Sequence, residues 1–228
     1  FDQSYMKSLL ILFISFIAVS SLLLNAKLIH DRRTFKSEVF RVQEVIDGDT
    51  FKIRSNNKDR RVRLIGVDAP EIGKCLSSEA KEKLTRLVLG KDVILKDQFL
   101  DPYGRIMANV FVNKEYVNKE MLISGLGRMD YYENPHRDEL KNAYAEARTN
   151  KLGLFSGVCL STVPQVSNKG IQCAIKGNID DNTQKKIYFL PECRNYSQVT
   201  IDLSTDDQWF CTEKEAITAG FTKSTTCN

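Results

Sequence analysis

The chain has 228 residues, of which 42% are hydrophobic and 27% are charged, and its formal net charge is +4. This length suffices for one sizeable domain plus a small one, and the composition is that of a globular protein without repeats or low-complexity tracts. The mildly basic charge permits a polyanionic partner without requiring one.

The N-terminal segment indicates export. Lys7 precedes residues 8–24, an apolar stretch without charge, and the polar sequence NAKLIHDRR follows. This order describes an export signal, and the stretch is also close to the length of a membrane span. A buried core helix is disfavoured because the stretch is apolar all round. Two alternatives stay open for residues 1–27, a cleaved signal peptide and an uncleaved membrane anchor.

From residue 38 the pattern predicts three strands, a helix, two strands and two helices. The strands are VFRVQEVI, TFKIRS and RRVRLIGV, followed by KDVILKDQF and RIMANVFV after the first helix. The helices are SSEAKEKLTRLVLG, VNKEMLISGLG and RDELKNAYAEARTNKLGLF. Short strands in this number predict an α+β domain, a small closed β-barrel with helices packed on it.

The tail beyond residue 170 holds four cysteines and the only tryptophan. A segment this small usually needs covalent staples, and one helix is expected from Glu213 to Ala219. The predicted organisation is a signal peptide or anchor over 1–27, a linker over 28–37, the barrel domain over 38–157, a second linker over 158–170 and a small cysteine-rich domain over 171–228.

The cysteines favour disulfides over zinc. An even number in an exported protein is typical of disulfides. The last four lack a C-x-x-C pair and a nearby histidine, so their spacing suits zinc poorly. The six disulfide candidates are Cys75, Cys159, Cys173, Cys193, Cys211 and Cys227.

Charged side chains at the predicted strand ends suggest chemistry when they are taken together. Asp49 and Asp68 follow strands that we expect to be neighbours, and such oxygen ligands suit a hard cation such as Ca²⁺. Arg63 and Arg105 offer planar donors that match phosphate oxygens. Glu71 can accept a proton from water. A phosphodiester displacement needs these parts together, whereas each motif alone is more typical of a turn, a structural salt bridge or a solvated side chain.

The motifs VIDGDT, RVRLIGVDAPE and DPYGR, in this order and spacing, resemble the staphylococcal nuclease (thermonuclease) family over residues 38–155. The resemblance implies a five-stranded OB-fold barrel with three helices and a Ca²⁺-dependent phosphodiesterase that cleaves the P–O5′ bond of DNA and RNA. It implies that Asp49 and Asp68 bind Ca²⁺, that Glu71 is the candidate general base, and that Arg63 and Arg105 hold the phosphate.

Two tyrosines and one backbone carbonyl extend the implied site. Tyr103 would lie near the 5′ phosphate of the nucleotide, and Tyr131 would stack on it. Ala69 replaces a threonine of the family that binds Ca²⁺ through its backbone carbonyl, so alanine should not prevent binding. Glu133 replaces a second tyrosine, which is expected to weaken stacking or alter preference.

The resemblance also suggests disulfide pairs. Cys75 lies in a short insertion after Glu71, and Cys159 follows the last helix of the matched region, so these two could be joined. For the tail we prefer 193–211 with 173–227 among three possible pairings. The tail itself resembles a small accessory domain found on bacterial secreted nucleases.

The main prediction is an exported Ca²⁺-dependent nuclease, a monomer that acts on DNA and RNA with little sequence specificity. It would be extracellular or anchored to the outer face of the bacterial cytoplasmic membrane. The alternative is a non-catalytic OB-fold protein of the cell envelope that binds single strands without cutting them. A purely structural envelope protein would leave the set of arginines and carboxylates unexplained.

Overall fold

The computed structural model describes residues 17, 19–21, 39–55, 57–130, 132–168, 170–180 and 183–227. Residues 39–228 form one compact unit, and the residues before them form another. In the first unit, residues 17 and 19–21 are helical. The rest of the predicted signal or anchor, and the predicted linker over 28–37, lie outside the described residues. No helix in the described ranges is both long and apolar enough to cross a membrane.

The barrel domain (residues 39–157) is built on five strands that close on themselves, as the sequence predicts. Their order is β3-β2-β1-β5-β6, with antiparallel neighbours, and a parallel pairing of β3 with β6 closes the barrel. Alternating apolar side chains, such as Phe51 and Ile53 of β2, point into the barrel and are fully buried. The strands are β1 Val39–Val45, β2 Thr50–Ser55, β3 Lys58–Leu64, β5 Asp92–Leu100 and β6 Ile106–Val112, and the short strands β4 Val67–Asp68, β7 Glu115–Tyr116 and β8 Arg128–Met129 accompany them.

Three α-helices cover the barrel, and this part of the prediction is also confirmed. The first of them buries one face, as its sequence pattern predicts, and its Leu84 is fully buried in the same core as the strands. Burying a leucine side chain in this way contributes about 1.5–3 kcal/mol. The helices are α1 Ser77–Val88, α2 Val117–Ile123 and α3 Arg137–Thr149, and a 3-10 helix, Gly153–Ser156, follows them.

The C-terminal module (residues 160–227) contains small sheets rather than one large one. A four-stranded sheet has the order β15-β12-β13-β16, and two two-stranded sheets pair β9 with β14 and β10 with β11. The segment expected as a second linker therefore contributes strands β9 and β10 to paired sheets. The elements are β9 Leu160–Ser161, β10 Gln165–Val166, β11 Gln172–Cys173, β12 Ile175–Ile179, β13 Lys186–Phe189, the 3-10 helix Tyr196–Gln198, β14 Ile201–Asp202, β15 Gln208–Phe210, α4 Glu213–Thr218 and β16 Thr222–Lys223.

All six cysteines form disulfides, but two of the three expected pairs are wrong. Cys75 is joined to Cys159, as expected. The tail pairs 173–211 and 193–227, not 193–211 and 173–227. The cause is the strand order: β12 pairs with β15, which brings the cysteines at 173 and 211 together, while β16 lies beside β13 and carries the C-terminus towards residue 193. The spacing of the cysteines along the sequence does not indicate this strand order.

Candidate active site

The turn that joins β1 to β2 holds Asp49 in a fixed place. The Oδ1 atom of Asp47 accepts hydrogen bonds from the backbone nitrogens of Asp49, at 3.0 Å, and Thr50, at 2.7 Å. Gly48, which lies between Asp47 and Asp49, has no room for a side chain. A Cβ at this position would lie 2.6 Å from the Cβ of Ala69 and 2.7 Å from that of Ala80. The turn is therefore packed against the end of β4 and the start of α1.

Asp49 is a buried carboxylate that accepts three hydrogen bonds. It is 2% exposed. Its Oδ1 accepts hydrogen bonds from Thr50 Oγ1 and Arg63 Nη1, both at 2.7 Å, and its Oδ2 accepts one from the Ala69 nitrogen at 3.1 Å. Burial raises the pKa of Asp49 to about 7, against the opposing influence of the Arg63 charge. Positive charge near this group is thus strongly favourable.

Arg63 connects two carboxylates. Its Nη1 bonds to Asp49 at 2.7 Å and its Nη2 to Asp68 at 2.8 Å, and the arginine side chain is 13% exposed. Burial opposes its charge, but Asp49 and Asp68 raise the pKa of Arg63 above its ordinary value. The register of β2 and β3, with Thr50 opposite Arg63, places the arginine beside the Asp49 turn. The guanidinium is therefore charged and held in one orientation.

Asp68 and Glu71 stand at the edge of an open cleft. Asp68 ends β4, opposite Arg128 of β8, and its side chain is 55% exposed. Glu71 is exposed three residues further on, after Pro70. Asp68, Ala69 and Glu71 line a cleft of about 670 Å³, which we call the Glu71 cleft. The exposed carboxylates of this turn thus face a space where a substrate and water have room.

Arg105 is organised by a different acid, Asp101. The Asp101 Oδ1 atom accepts hydrogen bonds from the nitrogens of Tyr103, at 2.9 Å, and Arg105, at 2.8 Å, while its Oδ2 bonds to Arg105 Nε at 2.6 Å. Although burial opposes its ionisation, the bonds from Arg105 hold the pKa of Asp101 below its usual range. Arg105 directly precedes β6, whose Ile106 pairs with Val62, the neighbour of Arg63 in β3.

Of the two tyrosines predicted to contact the nucleotide, the structure describes Tyr103. The Tyr103 side chain lies on the turn before Arg105 and is 78% exposed. The Arg105 guanidinium carbon lies 5.5 Å from the centre of its ring. Tyr131 lies outside the described residues. The structure thus joins Asp49, Arg63, Asp68 and the Ala69 nitrogen in one bonded set, whereas Arg105 and Tyr103 share a separate turn.

The oxygen atoms around Asp49 and Asp68 fit a hard cation such as Ca²⁺, which prefers carboxylate and carbonyl ligands. The two carboxylates are close enough to share one guanidinium. The carbonyl of Ala69 belongs to the same turn as the nitrogen that binds Asp49. In the described part of the chain, no three or more His, Cys, Asp or Glu side chains form a group that could hold a metal ion. A cation here would therefore depend on two carboxylates plus backbone and water oxygens.

Two supporting acids escaped the sequence analysis. Asp47 fixes the backbone of the Asp49 turn, and Asp101 fixes Arg105. A signal existed for both, because an Asp that opens a tight turn commonly accepts hydrogen bonds from the backbone two or three residues later. The motifs DGDT and DPYGR each begin in this way. The charge of Asp130, a third acid, also raises the pKa of Arg63.

The C-terminal module forms part of the wall of the Glu71 cleft. Ile179, Ser204 and Thr205 line it opposite the barrel residues. Three contacts fasten the module here: Arg128 Nη2 to Asp202 Oδ2 at 2.7 Å, Lys74 Nζ to Asp206 Oδ1 at 3.1 Å, and the Cys75 nitrogen to the Leu203 oxygen at 3.0 Å. The loop that follows Glu71 is thus held by the module as well as by the disulfide from Cys75.

Comparisons with known proteins match the barrel region. A family model described as "Staphylococcal nuclease homologue" matches residues 61–157, which contain Arg63, Asp68, Glu71 and Arg105. The chain is 32% identical to "Micrococcal nuclease" of Shigella flexneri, covering 54% of this chain and 74% of that protein. It is 35% identical to "Thermonuclease" of Staphylococcus intermedius, covering 53% and 77% respectively. It is 30% identical to "Endonuclease YncB" of Bacillus subtilis (strain 168), covering 64% and 73%.

Proposed function

Because this chain belongs to the staphylococcal nuclease homologue family, we propose that it is a Ca²⁺-dependent nuclease. It hydrolyses the phosphodiester bonds of DNA and RNA with little sequence specificity. The observation that carries the proposal is the Arg63 guanidinium, bonded to Asp49 and Asp68 beside a cleft that Glu71 lines. A phosphate-binding cation, two potential metal ligands and a proton acceptor thus lie on one small region of the barrel.

Arg63 and Arg105 bind the scissile phosphate and stabilise the negative charge that grows on it. Guanidinium groups present paired donors that match phosphate oxygens. Each arginine is already oriented by a carboxylate, Arg63 by Asp49 and Asp68 and Arg105 by Asp101, so little reorganisation is needed when the charge develops. Tyr103, next to Arg105, and Tyr131 contact the nucleotide.

Glu71 accepts a proton from the attacking water as the water oxygen bonds to phosphorus. The P–O5′ bond breaks, and the leaving O5′ atom takes a proton from solvent. The products are one 3′-phosphate end and one 5′-hydroxyl end. A positioned general base contributes about 10²–10⁴-fold to such a step, and the exposed position of Glu71 in the cleft allows water to reach it.

Asp49, Asp68 and the carbonyl oxygen of Ala69 would hold the Ca²⁺ ion. When bound, the ion supplies positive charge at the phosphate oxygens and a position for an ordered water. The protein prepares for it by burying Asp49 beside Asp47, where added positive charge is favourable. Asp68, more exposed, lines the cleft and bonds to Arg63.

We also propose that the protein works outside the cytoplasm as a monomer. All six cysteines form disulfides, which persist in oxidising compartments. Residues 1–27 act as a signal peptide or as an anchor on the outer face of the membrane. Residues 38–157 form the catalytic domain, and residues 171–228 form an accessory domain.

The test is digestion of end-labelled single- and double-stranded DNA and RNA by the full chain. Glu71→Gln and Arg63→Lys should each lower kcat by about 10²-fold or more, with an unchanged circular dichroism spectrum. The matched control is Glu82→Gln, since this exposed carboxylate on α1 contacts only Arg86 among the described ion pairs, and it should keep full activity.

The metal and product claims are tested in the same assay. We expect activity in Ca²⁺, loss in EDTA and strong reduction in Mg²⁺, with 3′-phosphate ends on the products. Wild-type activity in both Glu71→Gln and Arg63→Lys would refute the assignment of the site. Full activity in Mg²⁺ alone would refute the calcium claim. Tight binding of single strands without cleavage would support the alternative, a non-catalytic OB-fold binding protein.

A further inference from the structure

The C-terminal module contains a second cleft, of about 600 Å³, that none of the proposed catalytic residues lines. We call it the lysine cleft, because Lys185, Lys186 and Lys223 line it. The hydroxyl-bearing Thr222 and Thr225 line it as well. Among its described lining residues there is no aspartate or glutamate. Its lining thus combines positive charges and neutral hydrogen-bonding groups with the apolar Ile187 and with Gly220.

The fold of the module brings these lysines together. Strands β13 and β16 pair in parallel, with Tyr188 opposite Lys223. Lys186 lies two residues before Tyr188 on the same strand, so Lys186 and Lys223 project from the same face of the sheet. Lys185 lies directly before the first residue of β13 and is exposed. The sheet register therefore places Lys186 and Lys223 on one face, and Lys185 is adjacent to Lys186 in the chain.

The positive charge of this cleft is only partly neutralised by the protein. In the described part of the chain, Glu213 forms an ion pair with Lys223 at 3.5 Å. The Lys186 ammonium group lies 5.6 Å from the centre of the Phe221 ring. Three neighbouring ammonium groups repel one another, and an anion that binds between them relieves this repulsion. The cleft is thus suited to a ligand with more than one negative charge.

The lysine cleft and the Glu71 cleft share one lining residue. Gln184 lines both of them. The nearby acid Asp180 accepts hydrogen bonds at Oδ1 from the nitrogen and the hydroxyl of Thr183 within the same hairpin turn. A chain of phosphates that lies against Glu71 can therefore pass Gln184 and reach the lysines.

We propose that the lysine cleft binds the phosphodiester backbone of the nucleic-acid strand whose scissile phosphate lies in the Glu71 cleft. This inference rests on the proposed nuclease function and gives the C-terminal module a role in it. Lysine ammonium groups bind phosphates as point charges, and threonine hydroxyls add donors. The described lining has no aromatic side chain on which bases could stack, so the contact is to the backbone and does not depend on sequence.

The experiment compares two triple variants of the full chain that remove the same charge. The test variant is Lys185→Gln, Lys186→Gln and Lys223→Gln. The matched control is Lys58→Gln, Lys81→Gln and Lys141→Gln, three exposed lysines of the barrel domain. Each protein is assayed for cleavage of a thymidine dinucleotide and of a 20-nucleotide thymidine strand. Its binding to the 20-nucleotide strand is measured in EDTA by fluorescence anisotropy at several salt concentrations.

The test variant should cleave the dinucleotide with wild-type kcat and KM, because that substrate does not reach the lysine cleft. For the 20-nucleotide strand, its KM and its Kd should rise about tenfold with unchanged kcat. The slope of log K against log salt should fall by about 2, since each phosphate contact to a single strand contributes about 0.7. The control should behave as the wild type in every assay.

Two results would overturn the inference. One is a test variant that binds and cleaves the long strand as the wild type does. The other is a test variant that keeps strand binding but loses binding to vesicles of anionic phospholipid, since the cleft would then serve a membrane surface. If the wild type cleaves neither substrate, the proposed function fails, but the binding measurement in EDTA still decides whether the lysine cleft holds a strand.

Discussion

The barrel domain and the C-terminal module are stabilised in different ways. The barrel has one continuous apolar core in which large side chains such as Phe51, Leu84 and Met121 are completely buried. Among the described large side chains that are buried to this degree, only Ile201 lies in the module. The module instead has two small apolar clusters and two disulfides of its own. A segment of this size cannot bury enough apolar surface to do without such staples.

The buried charges of the two regions also differ in what they hold. In the barrel, Asp49 and Asp101 each bind an arginine of the candidate site. In the module, Lys176 and Asp207 bind backbone atoms of the module itself. In the barrel, polar burial therefore serves the candidate site, because the apolar core already provides stability. In the module, polar burial is part of what maintains the fold.

The largest effect on stability is expected in the barrel core. Leu84→Ala should lower the free energy of unfolding by about 2–5 kcal/mol, because it removes a completely buried side chain and leaves a cavity in a continuous core. Urea denaturation followed by circular dichroism measures it. The control is Leu89→Ala at the end of the same helix, which is 44% exposed and should change the free energy by less than about 0.5 kcal/mol. Equal losses for both variants would mean that the barrel does not depend on this core.

The next effect should be confined to the module. Replacing Cys193 and Cys227 by serine removes a disulfide between residues 34 positions apart in the sequence. The loss should lower the free energy of unfolding by about 3 kcal/mol. Trp209 is the only tryptophan and lies in the module, so its fluorescence reports the module alone. We expect its transition to move to lower urea while the barrel transition in circular dichroism and dinucleotide cleavage stay in place. If both transitions move together, the two regions unfold as one cooperative unit, and the module and the barrel are not stabilised separately.

The barrel could be predicted from the sequence because its signals are local. Alternating apolar residues indicated β2 and β3, and the spacing from Ala80 to Val88 indicated the buried face of α1. The turns around Asp49 and Asp101 also have short-range signals, and both were interpreted as parts of the site, although the supporting roles of Asp47 and Asp101 were not. Asp49, Arg63 and Asp68 do meet, as the motifs suggested.

The module could not be predicted to the same extent, because its structure depends on contacts between distant residues. Two-residue strands such as Leu160–Ser161 have no periodicity, so the segment 158–170 looked like a linker. The disulfide partners follow from the strand order β15-β12-β13-β16. The wall of the Glu71 cleft joins the loop at Lys74 to Asp206, more than a hundred residues apart, and nothing in either sequence indicates this contact.

The smallest effect concerns Lys176, a buried lysine without a carboxylate partner among the described ion pairs. Its ammonium group donates to the carbonyl oxygens of Tyr196, at 2.9 Å, and Val199, at 2.6 Å, and lies 4.1 Å from the centre of the Tyr196 ring. Lys176→Met removes a costly buried charge but leaves two carbonyls without that donor. Because these changes oppose each other, we expect the free energy of unfolding at pH 7 to change by less than about 1 kcal/mol.

The pH dependence of unfolding free energy, compared between the wild type and Lys176→Met, separates the cost of the buried charge from the contribution of the two hydrogen bonds. Burial lowers the pKa of Lys176 in the folded protein, whereas the unfolded chain keeps a pKa of about 10.4. Between these two pKa values the unfolded state binds more protons, so wild-type stability should rise with pH relative to Lys176→Met. Below the lowered pKa the difference should be constant. Trp209 fluorescence in urea at pH 7 to 10 measures it, and the neighbouring tyrosines cancel because both proteins contain them. A difference that stays flat across this range would show that the Lys176 charge is solvated, and that the module does not bury charge to hold its loops.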